Sequence, residues 1–275
     1  MSHPWLHRLV VVFAALAVLI LEVSPAAAEG LRIKRVAYSG VHTAPLAALR
    51  KAVAPMLATR SGRLSVVRRR RLIARLQGRL RQTLRELGYF RAAVQVAEYR
   101  PGEHTSFVVL RAQVQEGPRF RIGALDVTGV GPAVRLKALS RVKLRSGQFF
   151  DDADLRRSSD AVATVLADGG HAFVRVTVRR TPHKARSLVD VSFHVRAGPV
   201  VNVGRIVIRG ASVTAARLVR RALLLRPGSR YHRTTLVHAL VRLRRTGAFK
   251  SLRLAESPLG KKRIQLVVTV VEAKP

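Results

Sequence analysis

The sequence contains no cysteine, and this absence removes several classes of protein. Without cysteine there is no disulfide framework, no thiolate metal site and no cysteine nucleophile. Aromatic residues make up 5% of the chain, which leaves few side chains on which nucleic-acid bases could stack. The sequence motifs of serine hydrolases, phosphate-binding loops and zinc peptidases are also missing. We therefore expect a protein that is not an enzyme and that holds neither a cofactor nor a metal.

Acidic residues are scarce. The sequence has 51 Lys and Arg but 15 Asp and Glu, which gives a net charge of +36. A genome biased toward Arg codons explains this excess. An anionic neighbour, such as lipid headgroups, a phosphorylated glycolipid or an acidic partner, explains it equally well. Both explanations stay open at this point. The candidate contacts to an anionic surface are the clustered arginines Arg68, Arg69, Arg70, Arg71, Arg75 and Arg79.

Only one long apolar run is present, and it spans the thirteen residues Leu9–Leu21. A basic segment precedes it and the small residues Ala26–Ala28 follow, which is the layout of a secretory signal peptide. The run is shorter than the roughly 20 residues that cross a membrane. We therefore predict a signal peptide over residues 1–28 and an exported mature chain. Because exported proteins rarely meet chromosomal DNA, we expect no nucleic-acid partner.

A pattern of apolar residues at relative positions 0, 2, 5 and 7, closed by a glycine at position 9, occurs three times. Residues two apart predict a strand, and the slip between the two pairs predicts a bulge, where Gly123 and Gly204 stand in the second and third copies. The three copies of the pattern consist of Leu31, Ile33, Val36, Tyr38 and Gly40; Phe120, Ile122, Leu125, Val127 and Gly129; and Val201, Val203, Ile206, Ile208 and Gly210.

Each copy continues in the same order. A first helix is predicted near residues 45–57, 133–142 and 214–225. A Leu-Arg-x-Gly turn then leads to an aromatic residue, Phe149 or Tyr231, with one extra residue before the second of these. A second helix follows, which in the first copy carries a Leu stripe and ends in glycine. The phenylalanine after that glycine is predicted to begin the second strand, and an antiparallel hairpin completes the copy.

The sequence therefore predicts an α+β fold of three tandem β-α-α-β-β units, each a three-stranded sheet packed on two helices. The predicted domains are residues 29–117, 118–197 and 198–275. The acidic residues Asp151, Asp152 and Asp154 begin the second helix of the second unit. We interpret them as helix-capping residues, because carboxylates stabilise helix N-termini.

This unit resembles the POTRA domain in its glycine after strand one, its Gly-containing turn and its Gly-x-Phe before strand two. Three copies behind a signal peptide are similar to the periplasmic arm of the BamA/TamA superfamily of outer-membrane assembly factors, and most similar to TamA; the stretch Gly117–Val127 is especially similar. The resemblance covers essentially the whole mature chain. Such proteins normally continue into a membrane β-barrel. A stand-alone arm, a truncated product and a split gene with a separately encoded barrel stay open as alternatives.

The resemblance implies a periplasmic arm, at the outer membrane, that binds unfolded outer-membrane proteins or accessory assembly proteins by β-strand addition. A separately encoded barrel or an inner-membrane partner is a further candidate. The implied open edges are residues 90–98, 173–179 and 249–256. Two alternatives remain: ordinary edge strands guarded by Arg175 and Arg179, and a non-catalytic envelope adaptor that contacts anionic lipid or an acidic partner. The candidate edge residues are Phe90, Val94, Val96, Phe173, Val174, Val176, Val178, Phe249, Leu252 and Leu254.

Overall fold

One order of elements is repeated three times in the computed structural model, which describes residues 30–58 and 62–273. The first unit contains β1 (Arg32–Ser39), α1 (Leu46–Ala58), α2 (Val66–Glu86), β2 (Ala93–Tyr99) and β3 (Phe107–Gln115). The second contains β4 (Arg121–Thr128), α3 (Pro132–Leu139), α4 (Asp152–Asp168), β5 (Arg175–His183) and β6 (Leu188–Arg196). The third contains β7 (Asn202–Arg209), α5 (Val213–Leu223), α6 (Arg233–Arg245), β8 (Phe249–Pro258) and β9 (Arg263–Glu272). The predicted α+β fold of three β-α-α-β-β units is confirmed. The predicted signal peptide lies outside the described residues.

Each unit builds its own sheet with the last strand in the middle, in the orders β1-β3-β2, β4-β6-β5 and β7-β9-β8. The first strand pairs with the central strand in parallel, and the second strand pairs with it antiparallel. A parallel pair needs a crossover connection, which the two helices of each unit supply. One apolar face of the sheet and the facing stripes of the helices then form a separate core in each unit.

The predicted slip in the first strand is a register shift against the central strand. It falls between Ile33 and Arg35 in β1, and at the corresponding places in β4 and β7. In β4 a Cβ on Gly123 would lie 2.2 Å from an Asp190 carboxylate oxygen, so a larger residue there would displace that side chain. Lys34 stands at the bulge in β1, which shows that the bulge itself accepts other residues.

The glycine that closes the first strand has the same role in all three units. Gly40, Gly129 and Gly210 adopt φ values of +71°, +84° and +74°. A Cβ on these residues would lie 2.1, 2.2 and 2.4 Å, respectively, from a carbonyl oxygen of the central strand. Any side chain here would therefore collide with backbone and would also strain φ. This double requirement is the physical reason for the recurring glycine.

The aromatic residue of the turn before the second helix is Phe150 in the second unit, and the alignment of Phe149 with Tyr231 is wrong. The Phe150 backbone N–H donates to the carbonyl of Phe120 at 2.9 Å, as that of Tyr231 does to Val201 at 3.1 Å. Phe150 and Tyr231 are both fully buried, whereas Phe149 is 42% exposed. The turns of the two units therefore have equal length.

The glycine that ends the second helix also joins neighbouring units. Gly88 and Gly170 both adopt φ of +97°, the left-handed C-cap conformation predicted for them. The Gly88 carbonyl accepts a hydrogen bond from the backbone N–H of Phe120, and the Gly170 carbonyl accepts one from Val201, each at 2.9 Å. Both junctions therefore consist of the same backbone contact between a helix end and the start of the next unit.

Glu116 fastens the start of α1 to the end of the central strand in the first unit. Its carboxylate accepts hydrogen bonds from the backbone N–H groups of His42, Thr43 and Ala44 and from the Thr43 hydroxyl. Burial raises the pKa of this carboxyl, but the hydrogen bonds together outweigh burial, so the pKa lies below its ordinary value. Glu272 accepts from Ser212 at the equivalent place in the third unit.

We predict that Gly129→Ala destabilises the second unit by about 2–4 kcal/mol, because the methyl group meets the Val195 carbonyl and φ is positive. Urea unfolding followed by circular dichroism measures this loss. Gly131→Ala is the matched control, since Gly131 precedes α3 with a negative φ and nothing lies within 4 Å of its Cβ position. Equal stability losses in the two variants would contradict the role given to Gly129.

We also predict that the first unit loses stability as the pH falls through the depressed pKa of Glu116. A carboxyl whose pKa is lower in the folded than in the unfolded state stabilises the fold above the unfolded value of about 4.3, and this contribution disappears on acidification. Glu116→Gln should therefore be less stable at pH 7 and should flatten the acid dependence. Amide hydrogen exchange in β1 and β3 between pH 7 and pH 3 measures this loss of stability. Glu103→Gln, which changes an exposed carboxylate, is the control. An unchanged acid dependence in Glu116→Gln would refute the assignment.

Candidate functional site

The two edges of each sheet differ in how far their backbone groups are satisfied. In the second unit, the loop before α4 covers the start of the first strand. The Ile122 N–H donates to the carbonyl of Gln148 at 2.8 Å, and the Ile122 carbonyl accepts from the N–H of Gly147 at 2.8 Å. Together with the Phe150 contact, these bonds occupy the outer side of the strand. The unit therefore closes part of this edge with its own loop.

The same closure recurs in the other two units. In the third unit, the Val203 N–H donates to Ser229 at 2.8 Å and the Val203 carbonyl accepts from Gly228. In the first unit, Leu31 and Leu64 exchange backbone hydrogen bonds of 3.1 and 2.9 Å. In the second and third units the Leu-Arg-x-Gly turn thus has a definite structural role. It reduces the pairing capacity of the first edge.

The opposite edge of each sheet is open. Strands β2, β5 and β8 hydrogen-bond to the central strand on one side, and no backbone segment of residues 30–58 or 62–273 pairs with their other side. The contact that comes closest to covering an open edge is a long hydrogen bond of 3.5 Å, which the Arg244 side chain donates to the Leu252 carbonyl of β8. Unpaired N–H and C=O groups along an edge are a template for another strand.

The open edges carry different amounts of protective charge. β5 contains Arg175, Arg179 and Arg180, all exposed, and β8 contains Lys250 and Arg253. β2 has no basic residue in its sequence Ala-Val-Gln-Val-Ala-Glu-Tyr. Charged side chains on an edge strand oppose pairing with a further strand. The first unit therefore presents the least protected of the three edges.

The apolar candidate residues on these strands face the cores of their own units. Val94, Val96 and Leu252 are buried. Val176 and Val178 are half-buried against the core of the second unit, and Leu254 is half-buried against the core of the third. A bound strand would therefore meet the backbone of these residues and the exposed side chains that alternate with them.

Phe90 and Phe173 were predicted to begin the second strands, and the structure shows that both precede them. β2 begins at Ala93 and β5 at Arg175. Phe90 packs edge-on against Phe120 and Phe150 of the second unit, with ring centroids 5.1 and 5.0 Å apart. Phe173 and Val174 pack against the core of the third unit. These side chains join neighbouring units. Phe249 does begin β8, as predicted.

Arg69 is a structural residue and not a surface contact, so its place in the predicted anionic-surface cluster is wrong. Its side chain is 6% exposed, with Nε 3.1 Å from a carboxylate oxygen of Glu98. It also donates to the Leu64 carbonyl at 2.7 Å. Arg79 lies 3.5 Å from Glu86. The remaining members of the cluster are exposed and form no ion pair with a described residue; they are Arg68, Arg70, Arg71 and Arg75.

The Arg69–Glu98 pair has counterparts that the sequence did not reveal. Glu98, Arg180 and Glu256 occupy equivalent places on the open strands, opposite Leu110, Val191 and Leu266 of the central strands. Each contacts the start of the second helix of its own unit. Because the residue types differ from unit to unit, no shared motif marks this position.

The counterparts differ in chemistry. Asp152 accepts from Arg180 at 3.1 Å, and the Tyr231 hydroxyl donates to Glu256 at 2.7 Å. Burial and then the Glu256 hydrogen bond raise the pKa of Tyr231 well above its usual range. The three contacts hold the open strand against the helix layer.

The described residues give little support to a metal site or to a membrane-spanning helix. In the described part of the chain, no group of three or more His, Asp or Glu side chains is placed to hold a metal ion. None of the helices within residues 30–58 and 62–273 is long and apolar enough to cross a membrane. The features that recur in every unit are thus the closed first edge and the open second edge.

Comparison with known proteins agrees with this architecture. The POTRA family model (surface antigen variable number repeat) matches residues 201–273. The outer membrane protein assembly factor BamA of Neorickettsia risticii is 27% identical over 186 residues, which is 67% of this chain and 25% of that protein. BamA of Neisseria meningitidis serogroup B is 22% identical over 174 residues, 63% of this chain and 22% of that protein. The chain thus spans about a quarter of the length of these curated relatives.

Solved structures show the same fold. The crystal structure of Haemophilus influenzae BamA POTRA3-5 superposes with a TM-score of 0.63 and 17% sequence identity, and it covers 91% of this chain and 100% of that chain. These relatives are BamA proteins, so the likeness to TamA in particular stays a prediction. The family match in the third unit, the repetition of its topology in the other two and this superposition agree. The third unit matches the POTRA family, and the chain as a whole resembles the tandem POTRA units of BamA-type outer-membrane assembly factors.

Proposed function

We propose that the chain is a periplasmic protein-interaction arm in outer-membrane protein assembly or translocation. It holds unfolded outer-membrane proteins or accessory assembly proteins as extended segments added to its open sheet edges. The observation that carries this proposal is the contrast between the two edges, since each unit closes its first edge with a loop and leaves its second edge unpaired. The similarity to BamA supports the assignment to outer-membrane assembly.

Strand addition suits clients that differ in sequence, because the backbone hydrogen bonds of the added strand are the same for all of them. Side-chain selectivity then comes from the exposed residues that alternate along the edge. On β2 these are Ala93, Gln95, Ala97 and Tyr99, none of which is charged. On β5 they include Arg175 and Arg179, which disfavour basic segments and favour acidic ones. The first unit is therefore the more general acceptor and the second the more selective one.

A second candidate function rests on the exposed arginines of α2. Arg68, Arg70, Arg71 and Arg75 have no carboxylate partner among the described residues, so a non-catalytic envelope adaptor could contact anionic lipid or an acidic partner through them. The two functions respond differently to salt. Backbone pairing depends little on ionic strength, whereas contacts between exposed charges weaken steeply once the Debye length falls to about 8 Å near 0.15 M salt. A salt titration of client binding that shows a steep loss would favour the arginine contact.

We predict that an unfolded outer-membrane protein crosslinks to the open edge and not to the closed one. The chain lacks cysteine, so single cysteines carrying a photoreactive group can be placed at Gln95 on β2, Thr177 on β5 and Ala124 on β4. All three side chains are exposed, and Ala124 serves as the matched control on the opposite edge. We expect Gln95→Cys or Thr177→Cys to crosslink several-fold more client than Ala124→Cys. Equal crosslinking at all three positions would refute edge addition.

A further inference from the structure

The sheet of the first unit has a hollow on its outer face, the face turned away from α1 and α2. The outer hollow has a volume of about 550 Å³. Its floor and walls combine aromatic, aliphatic and basic side chains from all three strands. The residues that define it are Lys34, Arg35, Tyr99, Phe107, Val109 and Arg111.

On the outer face, Arg111 stands between two small residues, which leaves space beside its side chain. Its neighbours across the sheet are Ala37 on β1 and Ala97 on β2. The Arg111 guanidinium bends over the Tyr99 ring, with its central carbon 3.4 Å from the ring centroid. Lys34 Nζ lies 4.6 Å from the Phe107 ring centroid. Such cation–π contacts hold both cations in place while their N–H groups stay available.

The same row of the sheet differs in the other two units. In the first unit, Arg35, Val109 and Tyr99 lie side by side across the strands, and Val109 is 7% exposed. At the positions of Val109 and Tyr99 the second unit has Asp190 and Thr181, and the third has Gln265 and Ser257. The fold therefore does not require an apolar outer face at this row. Of the three units, only the first has one at this row.

The charge of the hollow is of one sign. Lys34, Arg35 and Arg111 are the charged residues among those that line it, and none of the lining residues in the described part of the chain is a carboxylate. The side chains of Arg35 and Arg111 form no hydrogen bond or ion pair with a described residue. Three cations at the rim of an apolar floor match a ligand with an anionic group next to carbon-rich surface.

We propose that the outer hollow binds the phosphate headgroup of an anionic lipid. Arg35 and Arg111 contact the phosphate oxygens, because an arginine donates several hydrogen bonds in a fixed plane. Lys34 adds a third positive charge. The rings of Tyr99 and Phe107 and the side chain of Val109 contact the glycerol and first acyl carbons. This site uses side chains on the outer sheet face of the first unit. Tyr99 belongs to the open strand β2, but the site needs neither the unpaired backbone groups of that edge nor the α2 arginines, so it can be tested separately from strand addition.

Vesicle binding by the whole chain tests the proposal. The chain is titrated with phosphatidylglycerol vesicles and with phosphatidylcholine vesicles at the same ionic strength, and the bound fraction is measured by flotation. The double variant Arg35→Gln/Arg111→Gln removes two charges from the hollow. Its matched control, Arg205→Gln/Arg253→Gln, removes two charges from the outer sheet face of the third unit. Tyr99→Ser installs the residue of the third unit without a change in charge.

We expect binding to phosphatidylglycerol and little binding to phosphatidylcholine. Arg35→Gln/Arg111→Gln should weaken binding about tenfold or more, since a basic residue near an anionic surface contributes about 1 kcal/mol. The matched control should change binding less than about threefold, and Tyr99→Ser should weaken it clearly. Equal losses in the two double variants would show non-specific attraction and would overturn the proposal. An unaffected Tyr99→Ser variant, or a loss confined to Arg70→Gln/Arg71→Gln on α2, would overturn it as well.

Discussion

The parallel pairing of the first strand with the last strand is the constraint on which each unit depends. It forces the chain to cross from one end of the sheet to the other, and the two helices make that crossing and cover one face. It also brings the turn after the first strand against the central strand, where Gly40, Gly129 and Gly210 are needed because a side chain would collide with a carbonyl. With the last strand in the middle, the second strand is necessarily left at an edge.

That arrangement connects the architecture with the proposed function. A three-stranded sheet has two edges, and each unit uses its inter-helix loop to satisfy part of the first one. The second edge stays available, held flat against its helices by contacts such as Arg69–Glu98 and Tyr231–Glu256. The Gly88 and Gly170 carbonyls then place successive units in contact by the same hydrogen bond. The result is a series of open edges that are built in the same way and differ in surface charge.

Much of this fold could be predicted from the sequence, because strand alternation, the glycine spacing and the Leu stripe of α2 recur in order. The failures have local causes. Phe90 and Phe173 follow a helix-ending glycine, and an apolar residue there does not reveal which unit's core it enters. Arg69 was grouped with surface arginines, although it precedes Leu72 by three residues and so shares the buried face of α2. The spacing of Arg69 from Leu72 was thus a signal in the sequence for the burial of Arg69. The three residues from Gly147 to Phe150 were likewise a signal that Phe150 is the aromatic residue of the turn.

The central claim is that clients add to the second strand of a unit, and amide hydrogen exchange tests it most directly. Exchange is measured residue by residue with and without a saturating unfolded outer-membrane protein. An added strand hydrogen-bonds to every second residue of the edge that it joins, so alternate amides of β2, β5 or β8 should become protected. The amides of β1, β4 and β7 should exchange as before. Client binding without protection along any second strand would contradict the account.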